Sequence, residues 1–468
     1  MANSGPKSCI AGVGSGLNSA QQGGSRAYSL RNVLEGGSWL VGTRVLSLIG
    51  NFALLALIPR MLGPERYGVW AVITSSTGLL TCFTLGLGPA VRNELAVLKH
   101  GSAQEQEQDV FFSSQWFLFM IVVVIGFLGF LSQQFVDYGR LFTITDASLA
   151  QRVGSYFFLA TIFYLLSLPF TQIGHVTYAY HRFKFVATYE VTTTVIPPLI
   201  GIGVAYFFEN KLLVLVFVTF AMKFIINLAL TGVFFIMQGW RIVMPGLKTI
   251  WINVTKLVFS AFQFWLLNLS YLVLFTTDTL IVNKIVNVSI AGEYNLVLKI
   301  YFMIVTLYST FMSPLWNFYT DAATVSDWVW IRRSVKKTWI MSVGGIAALA
   351  FALAFLVRPL ISVWSGVRLS FGLEVVFALA LWAVVFVWVK CFGMFLNGLN
   401  AMGYQTIAMV CGAIVNIPLT IFLVKVWGVM GAPLATVISL IPLILVGPIH
   451  SFILVRRNCA DAEVSVYP

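Results

Sequence analysis

Long apolar runs recur along almost the whole of this 468-residue chain, and short polar breaks separate them. A helix of about 20 apolar residues is long enough to cross the hydrocarbon core of a bilayer. Only 10% of the residues are charged, whereas an ordinary soluble domain has about 25%. These features predict an all-α integral membrane protein, and no break between the runs is long enough to form a soluble domain.

The apolar runs predict about twelve membrane-spanning helices, since charged residues, prolines or glycines bound each run. The predicted spans are residues 39–58, 69–87, 111–131, 153–173, 186–207, 212–237, 257–282, 291–315, 338–361, 373–396, 405–426 and 429–455. In the fifth span, Gly201 and Gly203 follow Pro197 and Pro198 closely, and this density of helix-breaking residues predicts a break in that helix.

The spans divide the chain into five parts. The predicted parts are a cytoplasmic tail (1–37), a lobe of helices 1–6 (38–237), a cytoplasmic linker (238–256), a lobe of helices 7–12 (257–455) and a cytoplasmic C-terminal tail (456–468). The first tail is rich in Gly, Ser, Asn and Gln and lacks the apolar core of a signal peptide. We therefore predict that it is disordered.

Lys and Arg residues lie mainly on one side of the predicted spans, and basic residues are retained on the cytoplasmic side during insertion. Sixteen lie in the two tails and the even-numbered connections: Lys7, Arg26, Arg31, Arg92, Lys99, Arg182, Lys184, Arg241, Lys248, Lys256, Arg332, Arg333, Lys336, Lys337, Arg456 and Arg457. Nine lie opposite them: Arg60, Arg66, Arg140, Arg152, Lys211, Lys284, Arg358, Arg368 and Lys425. We predict a multi-pass protein of the inner (plasma) membrane with both termini in the cytoplasm.

The two halves of the chain carry a faint repeat. LGPERYGVW follows the first span and SIAGEYNLV follows the seventh, so Tyr67 and Tyr294 correspond at a separation of 227 residues. Pro89 and Pro314 close the second and eighth spans at a separation of 225 residues. Because an even number of spans separates the copies, they have the same orientation. The repeat predicts two parallel six-helix lobes around a central cavity.

The chain lacks sequence signals for nucleotide hydrolysis, metal binding and nucleic-acid binding. The AGVGSG stretch at residues 11–16 is glycine-rich, but no Lys-Ser or Lys-Thr follows it as a phosphate-binding loop requires. The five cysteines form no CxxC pair and the four histidines lack metal-ligand spacing, so we predict no metal and no cofactor. The net charge of +12 is dispersed among the spans, which indicates membrane topology and no nucleic-acid partner.

Membrane lipids are expected partners of the segment DWVWIRRSVKKTW, residues 327–339. This segment combines aromatic and basic side chains just outside the ninth predicted span. Such a composition either anchors a helix at the membrane interface or docks anionic lipid headgroups. Both interpretations place the segment at the membrane surface.

Several ionisable side chains lie inside the predicted spans, where each costs about 2.5–3.5 kcal/mol on insertion scales. Arg44 and Lys223 lie deep in their spans, Lys299 and Lys390 are also basic, and Asp278 is acidic. Because bases predominate, a cavity that they line would attract an anion, and nearby amides suit a ligand with phosphate and many hydroxyl groups. The candidate ligand-binding residues are Arg44, Lys223, Lys299, Asn51, Asn227, Asn268 and Gln263.

The remaining ionisable residues have two interpretations each. Lys390 and Glu190 either face the cavity or extend to the membrane interface along their apolar stems. Asp278 and Lys299 are expected at one depth in adjacent helices, because their midpoint falls in the short connection between the seventh and eighth spans. As a facing pair they would either staple this hairpin or alternate as partners while Asp278 binds a proton or a sodium ion.

Four stretches of the chain resemble a known family. They are LGPERYGVWAVITSSTGLLTCFTLGLGPAVRNELA (62–96), TDTLIVNKIVNVSIAGEYNLVLKI (277–300), SPLWNFYTDA (313–322) and LNGLNAMGYQ (396–405). In their order and placement they are similar to the O-antigen and exopolysaccharide flippases of the multidrug/oligosaccharidyl-lipid/polysaccharide exporter superfamily. The resemblance covers roughly residues 30–456, and it departs from the family at Val-Asn-Val around Asn287, where the family usually has a glycine.

This resemblance implies two six-helix lobes, alternating access and a polyprenyl-diphosphate-linked oligosaccharide as cargo. The expected function is to flip this cargo from the cytoplasmic to the outer leaflet for export of surface polysaccharide, with no enzymatic activity. Arg44, Lys223 and Lys299 would hold the diphosphate, and the cavity amides and aromatic side chains would hold the sugars. An ion gradient, coupled through Asp278, or consumption of the product outside would drive transport. Polysaccharide polymerase or other export machinery is the expected protein partner.

Two other functions compete with this interpretation. A multidrug or cation antiporter of the same superfamily would need an acidic or apolar cavity, whereas bases outnumber acids within these spans. A membrane polysaccharide polymerase or lipid-sugar glycosyltransferase would place catalytic carboxylates or arginines on large extracytoplasmic loops. The loops here are short, and the first carries a single acid, Glu65.

The distribution of Lys and Arg predicts the position of the C-terminus. A reporter that is active only in the cytoplasm, fused after Arg457, should be active because the basic residues of the even-numbered connections remain on that side. As the control, a reporter that is active only outside the cytoplasm is fused at the same position, and it should be inactive. The reverse pattern would overturn the predicted topology.

Overall fold

The computed structural model describes residues 30–99, 104–138, 147–286, 288–365 and 369–464. In the first half of the chain these residues form α1 (Leu30–Leu62), α2 (Pro64–Leu79), α3 (Leu87–Leu98), α4 (Gln104–Phe135), α5 (Ala147–Ala179), α6 (Phe183–Thr194), α7 (Ile196–Ala205) and α8 (Lys211–Gln238). In the second half they form α9 (Leu247–Ile285), α10 (Val288–Met312), α11 (Pro314–Thr324), α12 (Trp328–Ser365), α13 (Leu373–Gly398), α14 (Gly403–Trp427), α15 (Gly431–Ser439) and α16 (Ile441–Val464). Short 3₁₀ turns, Leu80–Thr84 and Gly428–Met430, precede α3 and α15.

The helices account for the predicted number of membrane crossings. Nine segments of the described chain are long and apolar enough to cross, and the bent pair that ends in α3 makes ten. The longest segment, residues 403–459, contains α14 and α16, which pack against each other and so make two crossings. With the 33-residue α1 the total reaches twelve. The predicted all-α fold of about twelve transmembrane helices in two lobes is confirmed.

Prolines and glycines interrupt several of these crossings. The second crossing bends by 43° between its two helical pieces, where Leu85 and Gly86 both have positive φ. In the fifth crossing, α6 ends at Thr194 and α7 begins at Ile196 with Pro197 and Pro198 in its first turn, so the predicted break is a one-residue interruption at Val195 within a single span. Proline is tolerated in a first turn because the backbone N–H that it lacks has no partner within the helix there.

Three predicted boundaries differ from the structure. The first 29 residues of the predicted tail lie outside the described part of the chain, but residues 30–37 belong to α1. Gly37 lets α1 approach the backbone of Phe311 on α10, so position 37 itself is a packed part of the helix. The linker ends at residue 246, since α9 begins at Leu247. The helix that contains the ninth span begins at Trp328, where Asp327 accepts a hydrogen bond from the backbone N–H of Trp330 at 3.0 Å.

Apolar packing joins the two lobes at one end of the molecule. One buried cluster contains Leu95, Phe111 and Phe234 of the first lobe together with Phe264 and Met409 of the second. A smaller shared cluster packs α1 and α6 against α11. We call this the closed end, and it carries Lys99, which follows α3 directly.

Toward the opposite end, each lobe has a core of its own. The cluster that includes Leu54, Val153 and Phe220 contains described residues of the first lobe alone. The cluster that includes Val282 and Trp382 contains described residues of the second lobe alone. The lobes therefore share a core at the closed end and separate toward the other.

Gly86 is the residue that allows α3 to approach α9 at the closed end. Its φ of 71° favours glycine, and a Cβ atom there would lie 2.8 Å from the backbone nitrogen of Trp265 and still closer to the carbonyl oxygen of Ala261. Backbone atoms cannot move aside as a flexible side chain can. The space for this approach exists only because position 86 has no side chain.

We predict that Gly86→Ala destabilises the protein more than Gly239→Ala. Gly239 has a similar left-handed backbone (φ 66°), but no atom of the described residues lies within 4 Å of where its Cβ would be, so its substitution costs only the conformational strain of about 1–2 kcal/mol. Gly86→Ala adds a backbone clash to the same strain. Thermal unfolding of the purified proteins in one detergent should show the larger loss for Gly86→Ala, and equal losses would contradict the close approach.

Candidate functional site

Arg44 lies on α1 at the depth where the two lobes begin to separate. It falls between Leu40, which belongs to a cluster shared by both lobes, and Leu54, which belongs to the core of the first lobe. Its Nε atom is buried without a hydrogen-bond partner, and so is Oε2 of Glu190 on α6. The two side chains interact electrostatically. The Nε donor of Arg44 therefore has no hydrogen-bond partner, and Glu190 is the carboxylate with which Arg44 interacts.

Lys223 lies on α8 at a similar depth, between Phe220 of the first-lobe core and Phe234 of the shared core. Its ammonium group lies 4.8 Å from the centre of the Tyr164 ring. Such a cation–π contact stabilises the charge without neutralising it. Among the described residues, no carboxylate lies within ion-pair distance of this lysine.

Helix α6 brings the two bases to one region, because it packs against both α1 and α8. Tyr189 on α6 donates a hydrogen bond to Asn227 on α8 at 2.6 Å, and its sequence neighbour Glu190 faces Arg44. We call Arg44, Glu190, Lys223, Tyr164 and Tyr189 the N-lobe basic cluster. Its two cations and one carboxylate carry a net positive charge when all three groups are ionised.

Asn227 is not the cavity residue that the sequence suggests. It is 0% exposed. Its amide donates to the Lys223 carbonyl at 2.7 Å and its oxygen accepts from Tyr189, so protein groups already use both ends of the side chain. The structure corrects this expectation: in the present conformation Asn227 ties α6 to α8 beneath Lys223.

The other candidate ligands are spread over several surfaces. Asn51 is exposed on α1, and its amide donates to the Ser47 carbonyl at 2.8 Å. Asn268 and Lys299 are exposed, on α9 and α10 respectively. Gln263 is buried near Gly403, at the start of α14. The structure does not bring these four residues into one site.

Asp278 and Lys299 do not form the expected pair. Asp278 is 3% exposed, whereas Lys299 is exposed, so the two side chains occupy different faces of the α9–α10 hairpin. Equal depth is not enough for contact, because helix rotation decides where each side chain points. The predicted pairing is therefore wrong.

The partners of Asp278 are hydroxyl groups of the second lobe. Thr436 donates to Oδ2 at 3.0 Å and Thr420 donates to Oδ1 at 3.4 Å. The Tyr294 hydroxyl lies beside the same carboxylate. Asn416 donates to the Thr436 hydroxyl at 3.2 Å, and its own amide oxygen is buried without a partner. The arrangement gathers a carboxylate and several neutral oxygens in the interior of one lobe.

Arg92 links the two lobes at the closed end. Its Nε donates to Oδ1 of Asn317 on α11 at 2.7 Å, and Nη2 donates to the carbonyl of Ser313 at 3.3 Å. Its guanidinium also lies between two aromatic rings, 4.4 Å from the centre of Tyr178 and 4.2 Å from that of Trp316. In return, Asn317 donates to the Tyr178 carbonyl.

Asn93 and Lys99 extend this contact on both sides of Arg92. Asn93 accepts from the Trp316 indole at 2.7 Å and donates to the Asn397 carbonyl at 2.6 Å. The Lys99 ammonium lies 2.7 Å from Asp321, whose other oxygen contacts His181. Together these bonds hold α3 and the α5–α6 turn of the first lobe against α11 of the second.

Burial shapes the charges around Asp321. Burial is the main cause of the lowered pKa of Lys99, and the Asp321 carboxylate opposes this shift. Burial also lowers the pKa of His181, while its hydrogen bond to Asp321 opposes the shift and the charge of Lys99 adds to it. Asp321 is thus the acid that two first-lobe bases share across the interface.

From the sequence alone, Arg92 and Lys99 count only toward membrane topology, and nothing assigns them a contact. The repeat contains a usable signal, however. Arg92 and Asn317 are 225 residues apart, the same separation as Pro89 and Pro314. Corresponding positions of two parallel repeats can meet across the axis that relates them, and these two do.

Comparisons with known proteins agree with this fold. No family model matches the chain. A curated relative, a putative O-antigen transporter of Salmonella typhi, is 20% identical over 423 residues, which cover 87% of this chain and 92% of the relative. A crystal structure of MATE in complex with MaL6 superimposes with a TM-score of 0.75 at 11% identity, over 91% of this chain and 96% of that one. A MOP superfamily transporter from Pyrococcus furiosus gives 0.69 at 9% identity, over 92% and 95%.

The structural likenesses show the fold, and the curated relative matches the chain over most of its length. The relatives are transporters, which confirms the expectation of a transporter and not an enzyme. The putative O-antigen transporter and the MOP superfamily structure agree with the resemblance that the sequence motifs indicate. The chain thus has the fold of MOP superfamily transporters, and it is similar over 87% of its length to a putative O-antigen transporter.

Proposed function

We propose that this transporter flips a polyprenyl-diphosphate-linked oligosaccharide from the cytoplasmic to the outer leaflet of the inner membrane, for export of surface polysaccharide. The observation that carries the proposal is the N-lobe basic cluster, which lies at the depth where the lobes separate. The name of the Salmonella typhi relative, a putative O-antigen transporter, points to the same class of cargo.

The basic cluster suits a diphosphate for electrostatic reasons. Charge-assisted hydrogen bonds to phosphate are about twice as strong as neutral ones, and a low local dielectric strengthens them further. Arg44 has a buried Nε donor without a partner, and Lys223 has only an aromatic ring beside its charge. Among the described residues neither cation lies at ion-pair distance from a carboxylate, so both can accept an anionic ligand without breaking an ion pair.

The exposed polar residues of both lobes suit the sugars. Asn51 and Asn268 offer amide groups on helices of opposite lobes, and Lys299 is exposed on α10. In this proposal Lys299 assists the diphosphate, and Asn227 positions Lys223 without touching the cargo. Gln263, which lies near the closed end, would meet the cargo only after the lobes separate there.

Asp278 is the proposed ion-coupling residue. Carboxylate, hydroxyl and amide oxygens are the ligands that hard cations prefer, and they also stabilise a bound proton. The oxygens of Asp278, Thr420, Thr436 and Asn416 supply such a set inside the second lobe. Binding a proton or a sodium ion here would relieve the cost of a buried carboxylate, so the ion gradient could bias the lobe between two conformations.

In the predicted topology, the closed end faces the cytoplasm and the present conformation is open to the outside. Released cargo would then pass to a polysaccharide polymerase or other export machinery. A multidrug antiporter is the competing function, since the structural relatives include MATE proteins and the spans contain the buried acid Asp278. The two functions differ in the charge of the cargo, which mutation of the bases tests directly.

We predict that Arg44→Ala or Lys223→Ala abolishes export of surface polysaccharide while the protein still accumulates in the membrane. Alanine cannot supply the charge-assisted hydrogen bonds that a diphosphate needs in this environment. Polysaccharide on the cell surface is measured by immunoblot against protein level, with Lys425→Ala as the control because Lys425 is an exposed base at the end of α14. Normal export by the Arg44→Ala/Lys223→Ala double variant, together with efflux of a cationic dye, would favour the antiporter.

We also predict that Asp278→Asn removes the ion dependence of transport. Uptake of a labelled lipid-linked sugar into proteoliposomes is measured under a sodium gradient and, separately, under a pH gradient. The gradient that accelerates the wild type at least tenfold should have no effect on Asp278→Asn, because asparagine cannot bind either ion through a charge. Lys425→Ala is the control, because Lys425 is an exposed base outside both proposed sites, and this variant should keep the ion dependence. Gradient dependence that survives in Asp278→Asn would exclude this role.

A further inference from the structure

Arg92 is a buried cation held entirely by neutral groups. It is 4% exposed, and its partners are an amide oxygen, a backbone carbonyl and two aromatic rings. Within the described residues, no carboxylate lies at ion-pair distance from it, since Asp321 is shared by Lys99 and His181. Aromatic faces and neutral oxygens stabilise a guanidinium but leave its full charge available to an anion.

Three of the four partners of Arg92 belong to the other lobe. Asn317, Ser313 and Trp316 lie in or beside α11, and only Tyr178 lies in the first lobe with Arg92. If the lobes separate at this end, as alternating access requires, Arg92 loses both hydrogen-bond acceptors and one aromatic ring. It then lies at the mouth that opens, with a charge and free donors.

The geometry of the lost bonds matches a phosphate group. Nε and Nη2 lie on the same edge of the guanidinium plane, and two separate oxygens now accept from this edge. A planar guanidinium commonly presents two parallel donors of this kind to two oxygens of one phosphate. The Asn317 and Ser313 oxygens therefore occupy positions that two phosphate oxygens could take once α11 moves away.

We propose that Arg92 exchanges ligands during transport: it holds the lobes together in the present conformation and binds the diphosphate of the incoming cargo in the opposite one. This inference rests on the proposed function and adds to it a binding residue outside the N-lobe basic cluster. Because one edge of Arg92 serves both purposes, a bound diphosphate and closure at this end exclude each other. Closure therefore follows transfer of the diphosphate to deeper residues.

Tyr178 connects this position to the N-lobe basic cluster. It contacts Arg92 through its ring and interacts electrostatically with both Arg44 and Glu190. Tyr178 therefore interacts with both guanidinium groups, Arg92 and Arg44. A diphosphate that leaves Arg92 has a second guanidinium as its next partner. The corresponding residue of the second lobe is the amide Asn317, so the repeat does not place a second arginine at this position.

The test compares variants that break the same hydrogen bond from opposite sides. Full-length protein in lipid nanodiscs is titrated with farnesyl diphosphate, and binding is measured by isothermal calorimetry for the wild type, Arg92→Gln, Asn317→Ala and the double variant. Asn317→Ala should tighten binding several-fold, because Arg92 loses the acceptor that competes with the probe. Arg92→Gln should weaken binding at least tenfold, and the double variant should be as weak as Arg92→Gln.

Whether each single variant tightens or weakens probe binding distinguishes ligand exchange by Arg92 from a contact that only holds the lobes together. If Arg92 only latches the lobes, both single variants loosen the same contact and both tighten binding, which would overturn the proposal. Arg92→Lys keeps the positive charge but lacks the two parallel N–H donors. Its affinity for the probe should therefore fall between those of Arg92→Gln and the wild type. If Arg92→Gln does not fold, tighter binding by Asn317→Ala with weaker binding by Arg92→Lys supports the proposal, and wild-type affinity in Arg92→Lys overturns it.

A separate outcome identifies failure of the proposed function itself. If the wild type and Arg92→Gln bind the probe equally well, the role proposed for Arg92 is wrong, but the proposal of a diphosphate cargo is unaffected. A wild-type protein that binds neither farnesyl diphosphate nor inorganic pyrophosphate overturns both. Pyrophosphate is included because it carries the diphosphate without the isoprenoid, so loss of its binding in Arg92→Gln locates the effect at the charged group.

Discussion

The buried contact of Arg92 with α11 is the constraint on which the conformation of this protein depends. Two lobes in a bilayer gain little from apolar surface alone, since lipid is as apolar as the side chains it touches. Specific bonds across the interface therefore matter more than in water. Arg92, Asn93 and Lys99 supply them at one end, where the lobes also share a core, and the described cores separate toward the other end.

Charge is divided between the lobes in a way that suits coupled transport. The first lobe contains Arg44 and Lys223 near mid-depth, and the second contains the buried Asp278 among hydroxyl groups. Neither group neutralises the other across the molecule in the present conformation. In the proposed function, the anionic cargo and the coupling cation would therefore act on different lobes. Any coupling between them must pass through the relative position of the lobes, which the closed-end contacts control.

Broken helices give the lobes places to bend without exposing backbone groups to lipid. The bend after Gly86 and the break before α7 both lie next to packed helices, where neighbouring backbone and side chains can satisfy or shield the freed groups. Gly86 lies against α9 at the interface itself. Bending of the second crossing and closure of the lobes therefore involve the same few residues.

The sequence by itself determined the membrane class, about twelve crossings, the two lobes and the break at Pro197, because apolar length and helix-breaking residues act locally. It also identified Arg44, Lys223 and Asp278, since a charge inside a span is visible without knowing its neighbours. Only the tertiary structure decided which of these charges meet. Helix rotation places Asp278 among Thr420 and Thr436 instead of beside Lys299, and it encloses Asn227 within the first lobe. The contact between Arg92 and Asn317, 225 residues apart, exists only because two helices from different lobes pack together.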